Sequence, residues 1–325
     1  MTMRYRMFGP DKLPMSVIGI GTWVTGGDNW GPVDDNKSVR AIHEALEHGI
    51  NLIDTAPSYG EGHAETVVGK AIRGRRDGLV IATKCGLRKK GKKHSVTLRP
   101  ADIRDDLEGS LRRLGIETVD LYQCHWPDAH TPLEETMEAL LRLRQEGKIN
   151  YIGVSNFDQT LLEKCLASAP VVSLQTQYSL LAQHQAKNVI LFCCDHNIGV
   201  VAYGSLGGGI LSGKYPMPPN LRKGDARSFF YRFYRDPQWT RVVAVVSELI
   251  RIAGKRGKHP AQAALNWVVQ QPGITCALVG MRTPEQACLN AGAGEWELSA
   301  EDLKELERAA ERVSPEMASS AGSLD

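Results

Sequence analysis

Four residues of the chain could together protonate a carbonyl oxygen. They are Asp54, Tyr59, Lys84 and His125. The phenol of Tyr59 can act as the acid if Lys84 lowers its pKa from the ordinary value of about 10 and Asp54 orients the lysine. The imidazole of His125 can hydrogen-bond the acceptor atom of a substrate. These groups predict the chemistry of carbonyl reduction.

The positions of these residues strengthen the prediction. Asp54, Lys84 and His125 each close a short apolar run, and Tyr59 lies in the loop after Asp54. Taken singly, Asp54 could be a turn cap, Lys84 a strand end that reaches solvent, and His125 a core histidine. Barrel active sites are built where the strands end, so the shared placement favours the catalytic interpretation.

The elements that would carry these residues alternate along the chain. Short apolar runs are followed by helical patterns with a period of about 3.6 residues. The predicted strands are Val17–Gly21, Asn51–Asp54, Leu79–Lys84, Val119–His125, Ile149–Val154, Val172–Gln177, Val200–Tyr203 and Thr275–Val279. The predicted helices between them are Lys37–His48, Ala64–Arg73, Pro100–Leu114, Pro132–Glu146, Gln159–Ala167, Gln185–His196, Pro260–Gln270 and Pro284–Asn290. This alternation predicts an α/β fold, a closed (β/α)8 TIM barrel rather than an open doubly wound sheet.

Further segments lie outside the repeat. Tyr5–Phe8 and Leu13–Met15 flank a Gly-Pro-Asp turn, which predicts an N-terminal β-hairpin that plugs the bottom of the barrel. Trp239–Lys255 and Ser299–Arg312 are predicted as additional helices. With no linker evident, we predict a single domain over residues 1–314, followed by a flexible tail over 315–325.

Composition limits the function classes. The chain of 325 residues has 39 Lys and Arg against 37 Asp and Glu, a net charge of +2, which argues against a nucleic-acid or membrane partner. Its seven cysteines lack the CxxC spacing of a zinc site, so no metal is expected and free thiols in a reducing cytosol are predicted. No apolar run approaches the roughly 18 residues that span a bilayer. A cytoplasmic protein with a small-molecule partner is the expectation.

Motifs over nearly the whole chain resemble those of the aldo-keto reductase superfamily. The matching blocks are Asp54-Thr-Ala-Pro-Ser-Tyr59-Gly60, Thr83-Lys84, His125-Trp126-Pro127, Gly153-Val-Ser155-Asn156-Phe157, Gln175-Thr-Gln-Tyr178-Ser179, Tyr203–Tyr215 and Val279–Asn290. The blocks Gln177–Leu181 and Gly213–Tyr215 look more like the bacterial and potassium-channel β-subunit branches. The resemblance implies NADPH-dependent reduction of an aldehyde or ketone, sugar-like ones included, to an alcohol. Nicotinamide would supply the hydride and Tyr59 the proton.

The same resemblance implies where nicotinamide binds. Its carboxamide would be held by Ser155, Asn156 and Gln175, and Tyr203 would stack against its ring. These residues end the fifth, sixth and seventh strands, next to the catalytic residues, so a ring bound there would face a carbonyl beside Tyr59. The alternative is that Ser155 and Asn156 cap the next helix and Tyr203 packs in the barrel mouth.

The pyrophosphate would lie on a glycine-rich stretch. Gly204, Ser205, Leu206 and Gly208 could bring backbone amides close to it, and Lys214 could add charge. No GxGxxG follows the first strand, so a Rossmann mode of binding is not supported.

The adenosine end would lie against the last block. Gly280, Arg282, Gln286 and Asn290 have the spacing that the family uses there. Arg282 is the candidate partner of a ribose 2′-phosphate, with Arg227 closing over it. Part of the superfamily has an arginine where this chain has Gln286, so NADPH is favoured and NADH remains the alternative.

Two further questions stay open at this level. Trp23, Trp30 and Trp126 are predicted to line the substrate pocket, and the aromatic segment 229–234 is either a mobile lid or packing. The protein is either a monomer or a homo-oligomer. Alternative functions are a nucleotide-sensing module that reports redox state to a partner, and a metal-free sugar isomerase.

Overall fold

The computed structural model describes residues 2–90, 93–183, 187–311 and 313. The strands are β1 (Tyr5–Phe8), β2 (Leu13–Ser16), β3 (Ile18–Gly21), β4 (Leu52–Asp54), β5 (Val80–Cys85), β6 (Leu87–Lys90), β7 (Lys93–Val96), β8 (Val119–Cys124), β9 (Ile149–Ser155), β10 (Val171–Gln177), β11 (Gly199–Tyr203) and β12 (Ile274–Val279). The helices are α1 (Asp35–Glu47), α2 (His63–Ile72), α3 (Pro100–Leu114), α4 (Leu133–Gln145), α5 (Gln159–Ser168), α6 (Lys187–Asp195), α7 (Ala226–Phe229), α8 (Gln238–Lys255), α9 (Pro260–Val269), α10 (Pro284–Ala291) and α11 (Ala300–Ala310).

Eight parallel strands form a closed barrel, as predicted. Around the barrel the order is β3, β4, β5, β8, β9, β10, β11 and β12, which pairs again with β3. Each strand agrees with its predicted range to within one residue at either end. Central strands such as β5 and β8 are buried at every position because side chains fill the inside while helices cover the outside.

Short polar side chains and prolines set where several helices begin. Asp34 and Thr283 accept hydrogen bonds from backbone amides in the first turns of α1 and α10, respectively. Proline occupies the first turn of α3, α9 and α10, where no amide donor is needed. The strand ends and helix starts therefore meet at one face, where the predicted site residues lie.

The predicted N-terminal hairpin closes the opposite face. β1 pairs antiparallel with β2, and Phe8 and Met15 are almost completely buried. They belong to a cluster with barrel residues such as Leu52 and Leu121, and the Phe8 ring meets Tyr151 edge-on at 5.9 Å. The hairpin thus plugs the bottom of the barrel.

The remaining predictions fare differently. The extra helices α8 and α11 are present and pack against each other. The antiparallel hairpin β6–β7 was not predicted, because its lysine-rich sequence hides any alternation of apolar and polar residues.

One hydrophobic cluster includes residues from Met3 to Val313, although the single domain over 1–314 stays a prediction. The predicted helix start at Gln185, the helix end at Arg312 and the tail 315–325 lie outside the described residues. Within the described residues, no helix is both long and apolar enough to cross a membrane.

Candidate active site

The buried Lys84 side chain joins three parts of the predicted catalytic group. Its Nζ donates to both carboxylate oxygens of Asp54, at 2.7 and 2.8 Å, and to the hydroxyl of Tyr59 at 3.2 Å. A further bond to the carbonyl oxygen of Thr55, at 3.0 Å, fixes the ammonium at the end of the loop. Lys84 has no exposed surface and Asp54 is 2% exposed. The structure therefore brings Asp54, Lys84 and Tyr59 into direct contact.

Strand register and a tight loop contact produce this arrangement. β4 and β5 are neighbouring barrel strands, and Asp54 pairs with Ala82. Lys84 lies two residues beyond Ala82 on the same face of β5, and its long side chain reaches back to the Asp54 carboxylate. Beyond Asp54, the loop passes very close to the turn at Gly26. A Cβ atom at Gly60 would lie 2.3 Å from the Gly26 carbonyl oxygen, so glycine at position 60 permits the approach that places Tyr59.

His125 completes the group one residue beyond β8. Its ring centroid lies 5.8 Å from that of Tyr59, with the two rings nearly perpendicular. Its backbone amide donates to the Cys85 carbonyl at 3.0 Å, and its carbonyl accepts from the Asn156 side chain at 3.0 Å. The imidazole is thus held beside the phenol at the barrel mouth, as predicted.

The expectation that the pKa of Tyr59 is lowered is wrong in direction. Burial, and next the negative charge of Asp54, raise the pKa of Tyr59 well above its ordinary value. Burial lowers the pKa of Lys84, while Asp54 raises it in opposition. Lys84 Nζ lies closer to the Asp54 carboxylate, at 2.7 Å, than to the Tyr59 hydroxyl, at 3.2 Å, and the Asp54 charge opposes the effect of the lysine on the phenol. Tyr59 is therefore a protonated phenol across the neutral pH range.

The Asp54 carboxylate also receives two side-chain amides. Gln175 Nε2 donates to Oδ1 at 2.7 Å, and Gln123 Nε2 lies 3.5 Å from the same oxygen. Gln123 is fully buried on β8, and its Oε1 has no partner among the described residues. Sequence reasoning missed Gln123, although an amide within a strand, two residues before His125, was a usable signal.

The residues predicted to hold nicotinamide form one hydrogen-bonded cluster. Tyr203 donates to Asn156 Oδ1 at 2.8 Å, and Asn156 Nδ2 donates to Ser155 Oγ at 3.1 Å. Asn156 has a φ of 63°, a left-handed conformation that a non-glycine residue adopts at some cost. α5 is capped instead by Asp158, so the alternative that Ser155 and Asn156 cap this helix is wrong. Amide and hydroxyl groups beside an aromatic ring fit a nicotinamide carboxamide.

The glycine-rich stretch is compatible with close approach of a pyrophosphate. Gly204 and Gly208 have φ values of 68° and 70°, and a Cβ at Gly208 would lie 2.8 Å from the Tyr231 ring. Only glycine fits position 208 without displacement of that ring. Ser205 is buried and its hydroxyl donates to the Ala202 carbonyl at 3.2 Å, while Leu206 is half-buried. The Lys214 ammonium lies 4.9 Å from the centre of the Tyr215 ring.

The two arginines predicted at the adenosine end meet the same tryptophan. Arg282 donates to the carbonyl of Trp30 at 3.1 Å and to the carbonyl of Pro32. The Arg227 guanidinium lies 5.9 Å from the centre of the Trp30 ring and is paired with Asp225.

The remaining adenosine residues lie on α10 or just before it. Gln286 accepts a bond from the Arg282 backbone amide at 2.8 Å, and Asn290 is buried. A Cβ at Gly280 would approach Val24 to 2.8 Å. The Gln286 side-chain oxygen is therefore already hydrogen-bonded to the backbone. Arg227 and Arg282 are the residues of this predicted set that carry positive charge.

Aromatic side chains form one wall beside Tyr59. The Trp23 ring stacks on Tyr59 at 6.3 Å and meets Trp30 and Phe230 edge-on, each at 5.3 Å. Trp126, predicted for the same pocket, is half-buried, and none of the ring contacts of the described residues includes it. The structure thus brings Trp23 and Trp30 into this wall, and the place of Trp126 in the pocket stays a prediction.

The segment 229–234 is packed in this structure. α7 and a short 3₁₀ turn over Arg232–Tyr234 replace the expected loop, and Tyr231, Phe233 and Tyr234 are buried in the main core. Phe229 is 55% exposed. The packing alternative therefore describes Tyr231, Phe233 and Tyr234 better than a lid does, while mobility of Phe229 and Phe230 stays a prediction.

Comparisons with known proteins agree with this geometry. A model of the aldo/keto reductase family matches residues 17–311. The aldo-keto reductase YhdN of Bacillus subtilis (strain 168) is 38% identical over 307 residues, which cover 94% of this chain and 92% of that protein. The NADH-specific methylglyoxal reductase of Escherichia coli (strain K12) is 32% identical over 323 residues, covering 94% and 98% respectively.

Solved structures with the same fold include one protein named as a dehydrogenase and one named as a reductase. A glycerol dehydrogenase from Gluconobacter oxydans superposes with a TM-score of 0.88 at 38% identity and covers 97% of each chain. An aldo-keto reductase from Klebsiella pneumoniae, solved in complex with NADPH, gives a TM-score of 0.74 at 30% identity over 98% of this chain and 99% of that one.

Proposed function

Because this chain belongs to the aldo/keto reductase family and is an NAD(P)-dependent oxidoreductase, we propose that it reduces a small aldehyde or ketone to an alcohol with NADPH. The observation that carries the proposal is the buried contact of Lys84 with both Asp54 and Tyr59, beside His125. Sugar-like carbonyl compounds are included, since two similar proteins are named for methylglyoxal and glycerol.

In the proposed reaction Tyr59 donates its proton to the carbonyl oxygen. The raised pKa keeps the phenol protonated, so the acid is ready at neutral pH. Lys84 then stabilises the phenolate at 3.2 Å, and Asp54 opposes the fall in the lysine pKa that burial causes. His125 orients the carbonyl oxygen by a hydrogen bond. The reduced nicotinamide, when bound, supplies the hydride.

The chain's own groups suit that cofactor. Ser155, Asn156 and Gln175 would hold the carboxamide, and Tyr203 would face the ring. Gln175 and Asn156 already donate within the site, to Asp54 and to the His125 carbonyl, so their positions are fixed in advance. Prearranged groups lose less conformational entropy when the ligand binds.

The preference for NADPH rests on the positive groups at the adenosine end. Arg282 uses two nitrogens on backbone carbonyls and keeps further N–H groups for a 2′-phosphate. The similar Escherichia coli protein is named NADH-specific and the Klebsiella pneumoniae structure holds NADPH, so family membership supports either cofactor.

A substrate panel with both cofactors tests the proposal. Purified protein is mixed with methylglyoxal, aldoses, ketoses and simple aldehydes, and nicotinamide absorbance is followed with NADPH or NADH. We expect turnover of at least one carbonyl compound, with a larger kcat/KM for NADPH. Absence of turnover across the panel despite tight nucleotide binding would overturn the proposed reaction and favour the nucleotide-sensing alternative.

A further inference from the structure

Three potential metal ligands converge on the outside of the barrel, away from the catalytic group. Glu44 lies on α1, His48 directly follows it, and Cys288 lies on α10. One carboxylate oxygen, one ring nitrogen and the sulfur all lie within 4.8 Å of one another. We propose that these residues form a Zn²⁺ site that links α1 to α10.

The position of the ligand atoms supports the proposal. His48 Nε2 and Glu44 Oε1 are 3.1 Å apart, one helical turn from each other on the same face. Ligands at Zn²⁺ distances of about 2.0–2.3 Å are separated by about 3.3–3.8 Å in a tetrahedron. Glu44 and His48 are only partly buried and Cys288 is exposed, so small side-chain rotations close the remaining gap.

The types of ligand select the ion. A thiolate and an imidazole favour Zn²⁺ over Mg²⁺ and Ca²⁺, which prefer oxygen ligands, and a carboxylate completes a known zinc donor set. The Cys288 thiol gives up its proton to solvent as the Zn–S bond forms, and His48 binds through the unprotonated Nε2. Water takes the fourth position, because the site opens to solvent on the Cys288 side.

The site differs from an ordinary surface pair because its third ligand comes from another helix. Glu44 and His48 alone are a common arrangement along one helix, whereas Cys288 reaches them across the packed faces of α1 and α10. Five of the seven cysteines are buried, and only Cys194 and Cys288 are exposed. Cys194 therefore serves as a matched control.

Cobalt is the probe for the test, since Co²⁺ substitutes for Zn²⁺ and gives a thiolate charge-transfer band. Full-length protein is treated with a chelator and titrated with Co²⁺, then with Zn²⁺ in competition. We expect one equivalent to produce the band in wild type and in Cys194→Ser. Cys288→Ser should lose it, and His48→Gln should weaken Zn²⁺ binding by about tenfold or more.

Thermal unfolding supplies a second readout. Saturating Zn²⁺ should raise the Tm of wild type and Cys194→Ser, because an ion that binds only the folded state stabilises it. Cys288→Ser should show no rise. A cobalt band that survives in Cys288→Ser, or one that appears only at one metal per two chains, would overturn the proposal. Both serine substitutions are at exposed positions, so loss of fold does not confuse the result.

Discussion

The two halves of the barrel mouth hold their functional groups in different ways. Around β4, β5 and β8, the catalytic side chains are satisfied by one another: Lys84 bonds both Asp54 and Tyr59 in a fully buried position. Around the segment after β11 and the start of α10, Arg227 and Arg282 bond loop groups instead. The proposed reaction centre is thus built before any ligand arrives, while the two arginines proposed for the phosphates are held by loop groups.

The largest effect should come from the centre that is already built. Tyr59→Phe removes the acid without emptying the space, so turnover should fall by at least about a hundredfold while nucleotide binding stays close to wild type. Steady-state kinetics and a fluorescence titration measure the two quantities. Near-normal turnover would show that another group donates the proton.

A smaller, selective effect is expected at the adenosine end. Arg282→Ala should weaken NADPH by about 1.5–3 kcal/mol, the typical value of a hydrogen bond to a charged group, and leave NADH much less changed. Arg227→Ala is the matched comparison, because Arg227 is already paired with Asp225. Equal losses for both nucleotides in Arg282→Ala would mean that this arginine holds the loop rather than the phosphate.

The aromatic segment 229–234, which follows β11, should respond to nucleotide in its first two residues only. We expect hydrogen exchange at Phe229 and Phe230 to slow when NADPH binds, relative to Gly207–Gly209, whereas Tyr231 and Phe233–Tyr234 should be protected with or without nucleotide. If Phe229 and Phe230 are already protected like barrel strands in the free protein, the whole segment is fixed packing and no lid exists.

The smallest expected effect is a lack of pH dependence. The pKa of Tyr59 is raised, so the phenol stays protonated as the pH rises, and kcat/KM for reduction should change by less than about twofold between about pH 7 and pH 9. A lowered pKa would instead give a tenfold loss per unit above it. A steep decline over this range in a pH–rate profile would contradict the direction derived from burial and Asp54.

The strands and the catalytic residues were predictable because their signals are local. Each barrel strand is a short apolar run, and Asp54 and Lys84 end such runs on neighbouring strands, so both side chains were expected at the same end of the barrel. The β6–β7 hairpin was not predictable from alternation. Gln123 was missed because its role depends on its distance to Asp54 across the barrel.

The pKa of Tyr59 also required three-dimensional information. The sequence predicts that a lysine is near the phenol, but the sign of the pKa shift depends first on how deeply Tyr59 is buried and then on the negative charge of Asp54. The contacts of Arg282 with Trp30 and Pro32, which lie some 250 positions away, could not be predicted from the sequence either. Spacing identifies which groups meet, and distances decide what each does to the other.

Trp30 contacts both the arginines proposed for the cofactor and the aromatic wall beside Tyr59. Its carbonyl accepts from Arg282, its ring lies under Arg227, and its edge meets Trp23, which stacks on Tyr59. We therefore expect a substitution of Arg282 to shift also the aromatic wall beside Tyr59. If Arg282 sets the nucleotide preference, a change of that preference would then carry a second effect, on which carbonyl compounds fit beside Tyr59.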